Sequence, residues 1–181
     1  MFEWLNTIAE VILGFFPHRV IVIATHEGIK WKFGLEPVRL EPDVHWYWPM
    51  VSDVAQYPVA RQTLKLPSQT LMTSDLRKVM ARGIVVYSIS DIIAACGEKN
   101  FDIDDTVSDI AQSCIFDLIT GWTLEELMSD VEGNIHAMTE AAQEALEEYG
   151  VEVEQVKLTD FSEARPLNLA GLEINVQAGG D

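Results

Sequence analysis

Apolar residues recur at every second position from residue 19 to about 89, and at every third or fourth position from 91 to 149. The first stretch opens with 19–24 (RVIVIA), a β-branched run. Glu27 and Gly28 punctuate it before 29–33 alternates again. Gly34 and Pro37 mark a turn ahead of 38–40, and Pro42-Asp43 breaks the pattern before an aromatic patch, His45-Trp46-Tyr47-Trp48-Pro49. Residues 56–66 read as one further strand through Tyr57, Val59, Gln62 and Leu64, with Pro58 confining it to a sheet edge or a bulge. In 78–89, Val79, Ala81, Gly83, Val85, Tyr87 and Ile89 share one face. Ile84 and Val86 make the second half apolar on the other face too, the pattern of a strand covered on both sides.

The helical period then takes over. A short helix is predicted over 91–96, and Asp104 or Asp105 is placed to cap the next. Val107, Ile110, Ala111, Cys114, Ile115, Leu118 and Ile119 form its stripe, which Gly121 ends. Thr123 followed by Glu126 fits a capping box for a helix over 124–128. Val131, Ile135, Met138, Ala142, Ala145 and Tyr149 make a last amphipathic stripe, closed by Gly150. A final strand follows at 151–158, with Val151 and Val153 alternating with Glu152 and Glu154. Strands, then helices, then one strand argue an α+β fold.

Residues 2–16 (FEWLNTIAEVILGFF) are a case apart. Glu3, Thr7, Glu10 and Gly14 fall on one narrow polar stripe of a helix, and Trp4, Leu5, Ile8, Val11, Ile12, Phe15 and Phe16 cover the rest before Pro17 stops it. The segment is short of the roughly 20 apolar residues that span a bilayer. It lacks the basic flank of a signal peptide. Those seven side chains are the candidate contact residues, toward a membrane surface or a protein partner. The acidic stripe tips the expectation toward protein, because interfacial helices usually carry Lys or Arg there.

Charge divides the chain. Residues 1–82 hold nine basic and eight acidic side chains; residues 83–181 hold three and twenty-one, within a net charge of −17. An acidic half of that size excludes a nucleic-acid partner, which needs clustered Lys and Arg. Cys96 and Cys114 form no CxxC, and Cys114 falls on an apolar stripe as a core thiol.

The words along the chain, in their order, resemble the SPFH (band 7; stomatin–prohibitin–flotillin) domain family. A strand, a Glu27-Gly28 turn and a second strand are followed by Leu40-Glu41-Pro42-Asp43-Val44-His45-Trp46-Tyr47-Trp48-Pro49, with Asp43 where the family usually has Gly. Then come Arg61-Gln62-Thr63-Leu64, Thr73-Ser74-Asp75, and Val85-Val86-Tyr87-Ser88-Ile89-Ser90-Asp91. Leu124-Glu125-Glu126-Leu127 and the run from Gly150 to Asp160 complete the order. The resemblance covers about His18 to Phe161 and divides the chain into an N-terminal amphipathic helix (1–17), an SPFH domain (18–161, β-rich over 18–90, helical with a closing strand over 91–161) and a tail (162–181). It implies a non-catalytic scaffold that forms homo-oligomeric rings or arcs, cytoplasmic or on the cytoplasmic face of a membrane. Family members usually add a membrane anchor and a long coiled coil. Here 163–180 contains Pro166 and no heptads, so the chain reads as a minimal module. The alternative is a ring or collar subunit of a larger particle such as a bacteriophage virion.

No catalytic, cofactor-binding or metal-binding residue is expected. His18, His26, His45 and His136 sit in no ligand motif, and His45 is expected to be a packing histidine. The acidic run Asp102, Asp104, Asp105, Asp109 lacks the Gly and Glu of a calcium loop, so helix capping is the better reading. No nucleophile-and-base motif or phosphate-binding glycine pattern is present.

Overall fold

The computed structural model describes residues 16–98 and 102–163. It is an α+β fold. Among those residues the strands are β1 (His18–Ile21), β2 (His26–Lys32), β3 (Glu36–Leu40), β4 (Val44–Tyr47), β5 (Ser52–Pro58), β6 (Gln62–Lys65), β7 (Gln69–Met72), β8 (Lys78–Ile89) and β9 (Val151–Glu163). The helices are α1 (Ile103–Gly121), α2 (Leu124–Ser129) and α3 (Val131–Glu147), with a π turn at Ala94–Glu98. The strands form an antiparallel ribbon of β1 and β4, a three-stranded sheet ordered β3-β2-β5, and a sheet around β8. The twelve-residue β8 pairs with β6 and β7 in tandem along one edge and with β9 along the whole of the other.

That last sheet organises the core. Its buried side chains include Val79, Ala81, Val85, Tyr87 and Ile89 of β8, and Val151, Val153 and Val156 of β9. They join Val107, Ala111, Ile115 and Ile119 of α1 and Met138, Ala142 and Leu146 of α3 in one cluster. Each valine, isoleucine, leucine or methionine among them contributes about 1.5–3 kcal/mol when fully buried. Val86 is buried as well, so β8 is covered on both faces over its second half, as its composition predicts. Gly83, beside a bulge in the β8–β9 register, has no room for a side chain: a Cβ there would lie 2.9 Å from the Lys157 carbonyl oxygen and 3.1 Å from Ile115.

Side chains bind the two kinds of element together. The outer edge of β9 faces α3, whose Gln143 Oε1 accepts from the Val153 N–H at 2.6 Å and whose Thr139 Oγ1 accepts from the Val156 N–H at 3.0 Å. The capping box holds as predicted: Glu126 N–H donates to Thr123 Oγ1, and Thr123 N–H donates to the Glu126 carboxylate at 2.9 Å. Asp75, in the β7–β8 turn, accepts from Thr73 Oγ1 at 2.5 Å and from the Leu124 N–H at 3.3 Å, clasping that turn to the start of α2. These bonds hold the Asp75 carboxyl below its ordinary range, the Thr73 hydroxyl contributing most. Gly150 takes a positive φ of 68° after α3, and its carbonyl accepts from Ser90 and Asp91 N–H and from Ser90 Oγ. A Cβ there would meet the Asp91 carbonyl oxygen at 2.5 Å.

Five expectations change. The cap of α1 is Asp102, not Asp104 or Asp105: its carboxylate accepts from both of their N–H groups. Residues 56–66 are not one strand but the end of β5 and the whole of β6, in different sheets, because the chain turns at 59–61. Within that picture Pro58 does end an edge strand. Part of the aromatic patch is a strand, β4, paired with β1. In α3 it is Leu146, not Ala145, that enters the core; the larger side chain takes the buried place. The closing strand runs five residues past 158, carried by pairing to the full length of β8.

Candidate interaction surface

The β1–β4 ribbon pairs Arg19 with Trp46 and Ile21 with Val44. Cross-strand partners share a face, so these four side chains stand together, and all four are exposed. The opposite face turns inward through Val20, His45 and Tyr47, followed by buried Val22, which packs beside Gly28 and Leu40. The ribbon thus shows the alternation of a half-buried strand, but beside Arg19 its outward positions are isoleucine, valine and tryptophan where a solvated face would carry polar residues.

Two turns extend this face. The Trp48 carbonyl accepts from the Val51 and Ser52 N–H groups, which folds the β4–β5 connection back on itself. The Val51 carbonyl in turn accepts from the Phe33 N–H at 2.8 Å, so the β2–β3 turn lies against it. In that turn Phe33 and Gly34 have φ of 52° and 70°, the pattern of a type I′ hairpin. Glycine adopts that conformation freely; phenylalanine does so at a cost, and its ring is left 77% exposed. Trp46, Trp48, Met50 and Leu35 are likewise 53–82% exposed. Lys30 and Lys32 of β2 are nearby in the sheet, and the Lys30 ammonium reaches the Trp46 carbonyl at 3.4 Å. Asp53 lines the recess between the two turns.

Phe16, 61% exposed, leads into β1 two residues before His18, whose ring meets Tyr47 edge-on at 6.0 Å. The other predicted contact residues, Trp4, Leu5, Ile8, Val11, Ile12 and Phe15, lie outside the described residues. Phe16 itself precedes β1 at the end of the ribbon where His18 pairs with Tyr47. Sequence reasoning missed Ile21, Val44, Trp46 and Trp48 as surface residues. Their period-two spacing is that of any half-buried strand, and only the pairing of β1 with β4 shows which half looks outward.

The polar clusters are structural. Tyr87 donates its hydroxyl to the Asp104 carboxylate, and burial together with that acid pushes the phenol well above its ordinary range. A cavity of about 200 Å3 beside it is lined by Tyr57, Gln62, Cys96, Asp102 and Asp104 among others. The Cys96 thiol is raised to about 11 by burial and then by Asp104 and Asp102, which keeps it protonated and unreactive at neutral pH. Burial also raises the Cys114 thiol. A His45 ring nitrogen, Nε2, donates to the Glu41 carbonyl at 2.8 Å, a packing role. Among the described residues no three His, Cys, Asp or Glu side chains converge as metal ligands, and no helix is long and apolar enough to cross a membrane.

Comparison with known proteins gives two findings. The sequence model of the SPFH domain / Band 7 family matches residues 20–165. Mechanosensory protein 2 of Caenorhabditis elegans is 24% identical over 119 residues, which is 66% of this chain and 24% of that protein. The chain therefore spans about a quarter of the length of that relative.

Proposed function

Because this chain belongs to the SPFH domain / Band 7 family, we propose that it is a stomatin-like, non-catalytic scaffold module that rests its β-rich end on a membrane and assembles laterally with copies of itself. The carrying observation is the exposed apolar face of the β1–β4 ribbon and its neighbouring turns. Contiguous apolar surface of this kind marks interaction sites on soluble domains. Its makeup favours a lipid interface over a protein groove. Trp46 and Trp48 are amphipathic rings suited to the headgroup boundary, Phe33, Leu35 and Met50 stand on turns that protrude, and Arg19, Lys30 and Lys32 flank them. The acidic side chains concentrate after residue 83, away in sequence from this face, so an anionic lipid surface meets the near-neutral half.

Lateral assembly rests on the same charge division: a near-neutral half of one copy beside an acidic half of the next is a heterologous contact, which closes into a ring when the rotation allows. Co-sedimentation with phosphatidylcholine vesicles, with and without phosphatidylserine, tests the docking. The full chain is expected to pellet with both, and Trp46→Asp/Trp48→Asp to lose at least tenfold in partitioning. A chain that scatters light as a large oligomer yet ignores both vesicles would overturn the membrane role and restore burial of this face against protein, as in a particle subunit.

A further inference from the structure

At the opposite end of the core an apolar groove of about 290 Å3 opens between α1, α2, the first turns of α3 and the end of β9. Leu127 and Met138 form its buried floor, Ile135, Leu158 and Phe161 its half-buried sides, and Met128 and Val131 an exposed lip at 61% and 54%. Nothing in the ribbon or its turns reaches it, and it is separate from the surface described above. A groove lined this way exposes large side chains to water unless something fills it.

We propose that the groove is filled by the chain's own continuation past β9, with Leu167 and Leu169 as the side chains that enter. Three observations point there. Phe161 both lines the groove and stands two residues before the end of β9, so the continuation starts at its mouth. From Glu163 to Leu167 an extended chain reaches about 13 Å, enough to turn back over the groove. The continuation reads Ala164-Arg165-Pro166-Leu167-Asn168-Leu169, two leucines separated by one polar residue, so both fall on one face of an extended segment. Charge agrees. Arg165 is the one basic residue after Lys157, and the groove's lip is the start of α3, where Asp130 caps the helix and Glu132 stands in its first turn. Tethering places this occupant at millimolar effective concentration, ahead of any segment offered by a second molecule.

Hydrogen exchange by mass spectrometry on the full chain, with Leu167→Asn/Leu169→Asn as the variant, tests this. In the variant the amides of 134–138 and 158–161 are expected to exchange about tenfold faster, with β8 unchanged, and the wild-type protection is expected to be independent of protein concentration. Equal exchange in variant and wild type overturns the proposal. So does protection that grows with concentration, because it assigns the groove to a second copy. If β8 also accelerates, Val131→Asp on the exposed lip gives the independent reading: 158–161 must accelerate there as well, with β8 unchanged, or the proposal fails.

Discussion

The two ends of this molecule handle apolar side chains in opposite ways. From Leu66 to Val156 they converge on β8 and β9, and α1 and α3 close over them; from Phe16 to Val51 only Val22, Ile29 and Leu40 are buried hydrophobics among the described residues. Ten of the seventeen large hydrophobics that stand exposed among the described residues fall in that second stretch. The strands of both ends alternate at period two. The difference is the covering layer: helices lie on the β8–β9 sheet, and among the described residues none lies on the β1–β4 ribbon. The same alternation therefore yields a core in one place and an exposed apolar face in the other, according to whether a described helix covers the sheet.

Substitution should respond to that difference. Val153→Asp places a charge on β9 against α3, at a position 6% exposed in the wild type and opposite Tyr87. Unfolding by urea is expected to show a loss of about 3 kcal/mol or more, since the carboxylate has no partner there. An unchanged midpoint would mean that the closing strand is peripheral and that the core is not where the burial places it.

A smaller effect is expected at the clasp between β7–β8 and α2. The Asp75 carboxyl is held low in the folded chain, so its stabilisation is present above the ordinary carboxylate range and is lost as pH falls through the folded value. Melting temperatures measured from pH 6 down to pH 2 should therefore fall more steeply for the wild type than for Asp75→Asn, the two curves converging at the acid end. Parallel curves would remove the carboxylate's part in joining the helices to the sheet.

The smallest effect is expected where the surface is open. Trp46→Thr puts a residue of good strand propensity on the ribbon and removes a ring that is 62% exposed. Its stability should stay within about 0.5 kcal/mol of the wild type, while vesicle binding weakens. A loss of several kcal/mol would show that the ribbon's outward face is covered within the molecule, and the contrast between the two ends would collapse.

Much of the fold was legible in the sequence, for local reasons. The capping box at Thr123 and Glu126, the Gly150 turn and the two-faced composition of β8 each depend on residues a few positions apart, and each is where the pattern places it. What the pattern could not supply was set by distant partners. Residues 56–66 divide between two sheets because β5 pairs with β2 and β6 with β8. Asp102 caps α1 rather than its two acidic neighbours because the helix begins one residue after it, and an acidic run carries no mark of which member stands first. Of the predicted contact residues only Phe16 falls among the described residues, where it is exposed. The exposed tryptophans were not legible, since exposure belongs to the pairing of β1 with β4 and not to either strand alone.

The two bonds from β9 to Gln143 and Thr139 bear on how copies of this chain can join. A thirteen-residue strand at the margin of a sheet is a template onto which another chain can be laid, backbone to backbone. Here two of its outward N–H groups already have acceptors, supplied by a helix lying alongside. Sideways growth of the sheet is blocked along that stretch, and with it a route to fibrous aggregation. Under the lateral assembly proposed above, contact between neighbours along this edge falls to side chains, which can separate and rejoin without unravelling either partner.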